Sequence, residues 1–260
     1  MSNRMIKSKK EIAILREGGK ILREALQIAK EMAMEAEKKD LPSLELNKVV
    51  IKIIEKYGGR PSFLDYEVGG GVKYPAAICV SVNNEIVHGI PRADKIIKNG
   101  DLVKLDLGVW YKGLCTDSAL TVAVGSVPAV GRDLLKVTKK ALKLGLKEIR
   151  AGKRLGDYGY VVNKFVEKNS FFTVKRLVGH GVGYEVHEPP QIPNYGQKGE
   201  GLVLEEGMVL ALEPMVNELS EDIQLDKECD GFAYTTVDGG LAAHFEHTVV
   251  VGKHYPEILT

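Results

Sequence analysis

The stretch DLVKLDLGVWYKGLCTDSALTVAV, residues 101–124, holds two apolar runs joined by a turn. Leu102, Val103, Leu105, Leu107 and Val109 predict a strand over residues 102–109, and residues 114–124 predict its partner. Between them Tyr111-Lys112-Gly113 is turn chemistry, with Gly113 free to take positive φ. A turn centred on residues 111 and 112 pairs positions whose numbers sum to about 223. Asp106 then stands opposite Asp117 or within one position of it. Facing side chains in a hairpin lie roughly 5 Å apart at Cβ. Two carboxylates that close repel, and need a shared proton, a basic partner or a metal. The plainer alternative is that strand alternation turns one aspartate to solvent.

Outward from this hairpin, 260 residues can form one large domain or two small ones. With 44% hydrophobic residues the chain can bury a full core, and 27% charged residues exclude wholesale disorder. Lys+Arg 36 against Asp+Glu 35 gives no electrostatic case for nucleic acid. Lys7, Lys9 and Lys10 read as a solvated helix start rather than a binding arm. Three cysteines, Cys79, Cys115 and Cys229, have no regular spacing and no CxxC, so neither a disulfide framework nor a thiolate zinc site is expected. That usage fits a reducing, cytoplasmic setting. The opening residues lack the apolar core of a secretory leader, and no apolar run is long enough to span a membrane.

Helical spacing predicts a long helix over residues 9 to about 38, with Ser8 and Glu11 as a capping box. A second helix is expected over residues 44–57, with Ser43 as N-cap and Gly58-Gly59 as its stop. Residues 61–71 read as irregular, and Gly69-Gly70-Gly71 as a loop tip. Residues 76–82 and 85–91 are short extended pieces around an Asn83-Asn84 turn, the second carrying His88. Residues 130–151 and 155–169 read as helices. Strands are expected over residues 172–178, 208–215, 232–237 and 244–251. Each half thus reads helix, helix, then strands. The fold class is α+β, a single domain of two pseudo-equivalent halves, about 1–127 and 128–260, with a site between them.

The remaining chemistry-bearing residues fall on the later strands. GHGVG, residues 179–183, lacks the Gly-Lys-Ser/Thr ending of a phosphate loop. It reads instead as a histidine, His180, held between glycines so that backbone and substrate can approach. His187 follows in EVHEPP, bracketed by Gly and Pro. Glu213 in MVLALEPMV and Glu246 in AAHFEHTVVV are carboxylates inside apolar runs, costly unless paired or metal-bound. Either could instead face solvent at a rim. Together Asp106, Asp117, His180, Glu213 and Glu246 are four carboxylates and an imidazole. Such a set suits a pair of divalent cations with two carboxylates bridging. The oxygen-rich donors favour Mn²⁺, Fe²⁺ or Co²⁺.

NEIVHGIP, DLVKLDLG, TDSALTV, GHGVGYEVHEPPQIPN, LALEPMVN and FEHTVVV, with LREGGKIL at residues 15–22, resemble the motif series of type I methionine aminopeptidases. The resemblance spans nearly the whole chain, in the family's order and near its spacing. It implies the pita-bread fold, two pseudo-symmetric halves of helices and antiparallel strands around a dinuclear metal site. It implies that Asp106, Asp117, His180, Glu213 and Glu246 hold two divalent ions (Co²⁺, Mn²⁺, Fe²⁺ or Zn²⁺), with Asp117 and Glu246 bridging. Catalysis falls to His88, His187 and Glu213. Substrate binding falls to His88, His187, Tyr74, Cys79 and Phe232. The implied reaction is removal of N-terminal methionine from peptides and nascent chains at the ribosome, by a cytoplasmic monomer. A metal-bridging water is the nucleophile and a small second residue is preferred. The stretch between His187 and Glu213 lacks the helical insertion of type II enzymes, in keeping with type I. One departure stands out: the loop 63–74, FLDYEVGGGVKY, is longer and richer in glycine than the family pattern. Two other readings are a peptide-binding module that has lost its ligands and a hydrolase of the same fold with an Xaa-Pro preference. Metal analysis separates the first, and a peptide panel the second.

Overall fold

The computed structural model describes residues 5–227 and 231–260; Cys229 lies outside them. Among the described residues four α-helices lie over antiparallel sheets: α1 (Lys9–Glu35), α2 (Leu44–Lys56), α3 (Ala129–Gly145) and α4 (Leu155–Lys168). None is long and apolar enough to cross a membrane. Ser8 and Glu11 do form the capping box that opens α1. Ser43 does not cap α2. Its hydroxyl instead donates to Arg92 O and accepts from the Arg92 amide, tying the helix start to the 92 loop.

The central hairpin pairs Leu102–Tyr111 with Leu114–Ala123. Its turn is Lys112-Gly113, both at positive φ (47° and 81°), and Tyr111 faces Leu114. This two-residue turn is the one whose twist suits a hairpin. It sets the register two higher than the sequence reading. Asp117 faces Gly108, and Asp106 faces Ala119. The aspartates are therefore diagonal neighbours on the same face, not opposed. Neither meets bulk solvent, because both faces of the hairpin are covered. Val103, Leu105, Leu107 and Val109 pack in one core with Leu22, Leu26, Leu46, Val50 and Ile54 of α1 and α2. Lys104 and Asp106 point the other way and are buried there too. At Gly19 a Cβ would lie 2.3 Å from Leu259 O, so α1 and the chain end approach to backbone contact only because this position is glycine.

The second half repeats the theme with α3 and α4. Leu134, Ala141, Tyr158 and Val162 share a core with Leu210, Leu212, Phe245 and Val249. Val209–Leu212 pairs with His247–Val250, and Met215–Asn217 pairs with Ala242–His244. Both pairs follow one register: Leu212 faces His247, and Met215 faces His244. Glu213 and Glu246 occupy the bend between them. They are not within strands, as the sequence reading had it, but at the point where a long bent hairpin passes from one sheet to another.

The two hairpins are stitched side by side. Thr248 Oγ1 accepts from the Asp117 amide at 2.8 Å and donates to Asp117 O at 2.7 Å. The Glu246 amide donates to Ala119 O, and Ser118 Oγ to Glu246 O, both at 2.8 Å. Thr121 Oγ1 closes the row by accepting from the His244 amide and donating to His244 O. Asp117 and Glu246, 129 residues apart in sequence by subtraction of their numbers, are neighbours because of this row.

Candidate metal centre

Ligand atoms of Asp117, His180 and Glu246 lie within 4.8 Å of one another, all three residues buried. Asp106 and Glu213 line the same cavity, which has a volume of about 340 Å³. His180 Nε2 is 3.3 Å from Glu213 Oε1. The structure thus brings all five candidate donors together. Their bends and strands explain how: Asp106 and Asp117 share a hairpin face, Glu213 and Glu246 share a bend, and His180 sits on Gly179–Gly181 facing Ala211.

The glycines beside His180 serve the neighbouring strands. A Cβ at Gly179 would lie 2.5 Å from Ala211 O, and one at Gly181 2.2 Å from Pro189 O. They admit backbone on both sides, and a strand rather than a helix follows, over Glu188–Ile192. No phosphate-loop geometry is formed there.

The electrostatics of the cluster call for positive charge. Asp106 Oδ1, Asp117 Oδ1 and Glu246 Oε1 are buried and have no hydrogen-bond partner among the described residues. Buried polar atoms are rarely left so. Burial raises the Asp117 pKa to about 7, against a backbone hydrogen bond from Ser118 that lowers it. Burial first, then Asp117, pushes Asp106 well up. Burial and then Asp106 and Asp117 do the same to Glu213. Glu246 is raised by burial and then by Asp117, Glu213 and Asp106. His180 Nδ1 lies 2.8 Å from Gly181 O, and a carbonyl only accepts, so Nδ1 carries the proton. Nε2 therefore turns a bare lone pair toward Glu213 Oε1. Lone pairs converging on one buried point, with no Lys or Arg among the five donors, fit divalent metal.

The other candidate residues ring the same cavity. His88, at φ 63°, and His187 are open to it. Surrounding protein, and then His187, hold the His88 pKa down to about 4, so it is neutral near pH 7. The His187 pKa is lowered by burial alone. Tyr74, Cys79 and Phe232 form an apolar wall with Phe63; the Tyr74 ring stands edge-on to Phe232 at 5.4 Å and to Phe63 at 6.5 Å.

Sequence reasoning passed over four residues that the geometry brings in. The Tyr66 hydroxyl is 2.8 Å from His187 Nδ1. His244 is fully buried, with Nε2 3.3 Å from Glu213 Oε2. Asn194 Nδ2 donates to Glu213 O at 3.0 Å while its Oδ1 accepts from the Tyr158 hydroxyl, and Thr248 holds the Asp117 backbone. Only His244 had a signal, two positions before Glu246 in HFEH. The others depend on tertiary contacts with no sequence periodicity.

Residues 13–253 match the model of metallopeptidase family M24. A curated methionine aminopeptidase of Aquifex aeolicus is 40% identical over 258 residues, covering 97% of each chain. A crystal structure of methionine aminopeptidase from Thermotoga maritima superposes with a TM-score of 0.89 at 40% identity, covering 98% of each chain. A prolidase from Pyrococcus furiosus aligns with 99% of this chain but 65% of its own, at 24% identity and a TM-score of 0.74. That likeness concerns the fold alone.

Proposed function

The chain belongs to metallopeptidase family M24, as a methionine aminopeptidase of the pita-bread fold, and we propose that the five-donor cluster is its reaction centre. As such it releases N-terminal methionine from polypeptides. The observation that carries the site assignment is the convergence of unpartnered carboxylate oxygens and the His180 lone pair in one cavity. Asp106, Asp117, His180, Glu213 and Glu246 would hold two divalent ions. Bound divalent metal supplies acidified water at neutral pH and polarises the scissile carbonyl. We assign the domain as one catalytic unit of two equivalent halves, 1–127 and 128–260.

The chain's own groups do the rest. The wall of Tyr74, Cys79 and Phe232 receives the methionine side chain, and its limited room disfavours a bulky second residue. Neutral His88 accepts a hydrogen bond from the backbone nitrogen of that second residue. Glu213 takes a proton from the attacking water and delivers it to the leaving amine, a transfer typically contributing ~10²–10⁴-fold. In the tautomer where Nδ1 accepts from the Tyr66 hydroxyl, His187 carries its proton on Nε2 and offers that N–H to the carbonyl oxygen as charge develops there. Nascent chains at the ribosome and free peptides are the proposed substrates, and Mn²⁺, Fe²⁺, Co²⁺ or Zn²⁺ the proposed ions.

The test is His88→Ala. Hydrolysis of Met-Ala-Ser should fall about 10²-fold or more while metal content is retained. Full activity in that variant removes the role assigned to His88.

A further inference from the structure

The loop 63–74 extends beyond what the cavity wall requires. Its base is closed by the Tyr74 amide donating to Tyr66 O and the Asp65 amide donating to Tyr74 O, both at 2.9 Å. Beyond that base Glu67–Gly69 pairs with Val72–Lys73, and with no other strand among the described residues. All five of these strand residues are exposed. Gly69, Gly70 and Gly71 turn the tip at φ 115°, 60° and 76°, conformations suited to glycine. A two-stranded hairpin standing in water is marginal at best. Nor does it hide its apolar residues: Val68 and Val72 are 52% and 50% exposed.

Its placement gives it a use. One foot, Tyr66, is hydrogen-bonded to His187. The other, Tyr74, is part of the apolar wall and donates to Gly89 O beside His88 at 2.9 Å. Val68 reaches the cavity lining, so the hairpin is continuous with the reaction site. An aminopeptidase buries the first residue, and everything after the second must leave through the mouth. The departing segment is extended polypeptide, whose backbone can pair with a free strand edge and whose side chains can rest on its apolar residues.

We propose that the hairpin 67–73 is a specificity element for the third and fourth residues of the substrate, with Val68 as its apolar contact. The inference rests on the aminopeptidase reading above. It holds that extended substrates with apolar residues at those positions are favoured over ones with acidic residues there.

The test uses the metal-loaded full chain and three substrates: Met-Ala amide, a longer peptide beginning Met-Ala-Val-Val, and its Met-Ala-Asp-Asp counterpart. The readout is the ratio of kcat/KM for the Val-Val peptide to that for the Met-Ala amide, so that changes common to both cancel. Val68→Asp should lower that ratio by about fivefold or more, and should erase the Val-Val over Asp-Asp preference, as loss of a central apolar contact does. A second variant, in which Gly-Gly replaces residues 67–73, should do the same. A smaller change in the ratio in both variants, or a preference that survives them, overturns the proposal. Failure of the unmodified chain to release methionine from any of the three substrates would instead count against the aminopeptidase reading.

Discussion

Glu213 is flanked by histidines on both of its oxygens. His180 and His244 lie 3.3 Å from its two oxygens, and Asn194 holds its backbone carbonyl. Glu213→Gln keeps the shape but cannot take a proton. With bound metal matched to that of the unmodified chain, its kcat for Met-Ala-Ser should fall by ~10²–10⁴-fold with little change in KM. A purely KM effect would place Glu213 in binding rather than proton transfer. The carboxylates also predict a pH dependence. Their folded pKa values are raised, Asp117 to about 7, so the metal-free folded state binds more protons than the unfolded chain above pH 4. Stability therefore falls as pH rises toward and through 7. The depressed pKa values of His88 and His180 act oppositely, but only between their folded values and the ordinary one of 6.5. Above pH 6.5 the charge of those histidines in the unfolded chain fades, and their opposing effect fades with it. Lys104, lowered to about 7 by burial, is common to loaded and stripped protein. The gap in Tm between metal-loaded and chelated protein should thus widen from pH 6.5 to 8. A gap that narrows contradicts the sign of the carboxylate shifts.

At the scale of the element, most of what places the site was legible in the apolar patterns. The hairpin 102–123, all four helices and the α1 capping box follow from periodicity and local chemistry. What failed was register and interruption. Turn chemistry alone did not distinguish a turn at 111–112 from one at 112–113, and a shift of one position in the turn centre changes the pairing sum by two. Glu213 and Glu246 were correctly singled out as polar groups in apolar runs. The bend that carries them is a tertiary feature, set by the passage of both strands between sheets, and leaves no local mark beyond Pro214. The contact between α1 and the chain end was equally silent. Gly19→Ala drives a Cβ against Leu259 O, and should cost about 1–3 kcal/mol in chemical denaturation. An unchanged midpoint would mean that the helix shifts freely on the terminal segment.

For the molecule as a whole, the row of bonds between the two hairpins is what makes one site from two halves. Thr248 anchors one end of it, accepting from and donating to the Asp117 backbone. Thr248→Val preserves shape but leaves both Asp117 backbone groups without that partner. Stability should drop by about 1–3 kcal/mol, and divalent metal should bind more weakly, since Asp117 and Glu246 would no longer be held in step. Stability loss with unaltered metal affinity would show that the donors are positioned independently of the row. Donors from both halves bind divalent metal, and methionine release depends on it. The most direct measurement is to strip the purified chain with chelator, add back Mn²⁺, Fe²⁺, Co²⁺ or Zn²⁺ in increments, and follow bound metal together with methionine release from Met-Ala-Ser. The expected result is an inactive stripped chain whose activity returns with bound metal, saturating at no more than two ions per chain. Undiminished activity in the stripped chain, or no metal retained by an intact, folded chain, would contradict it.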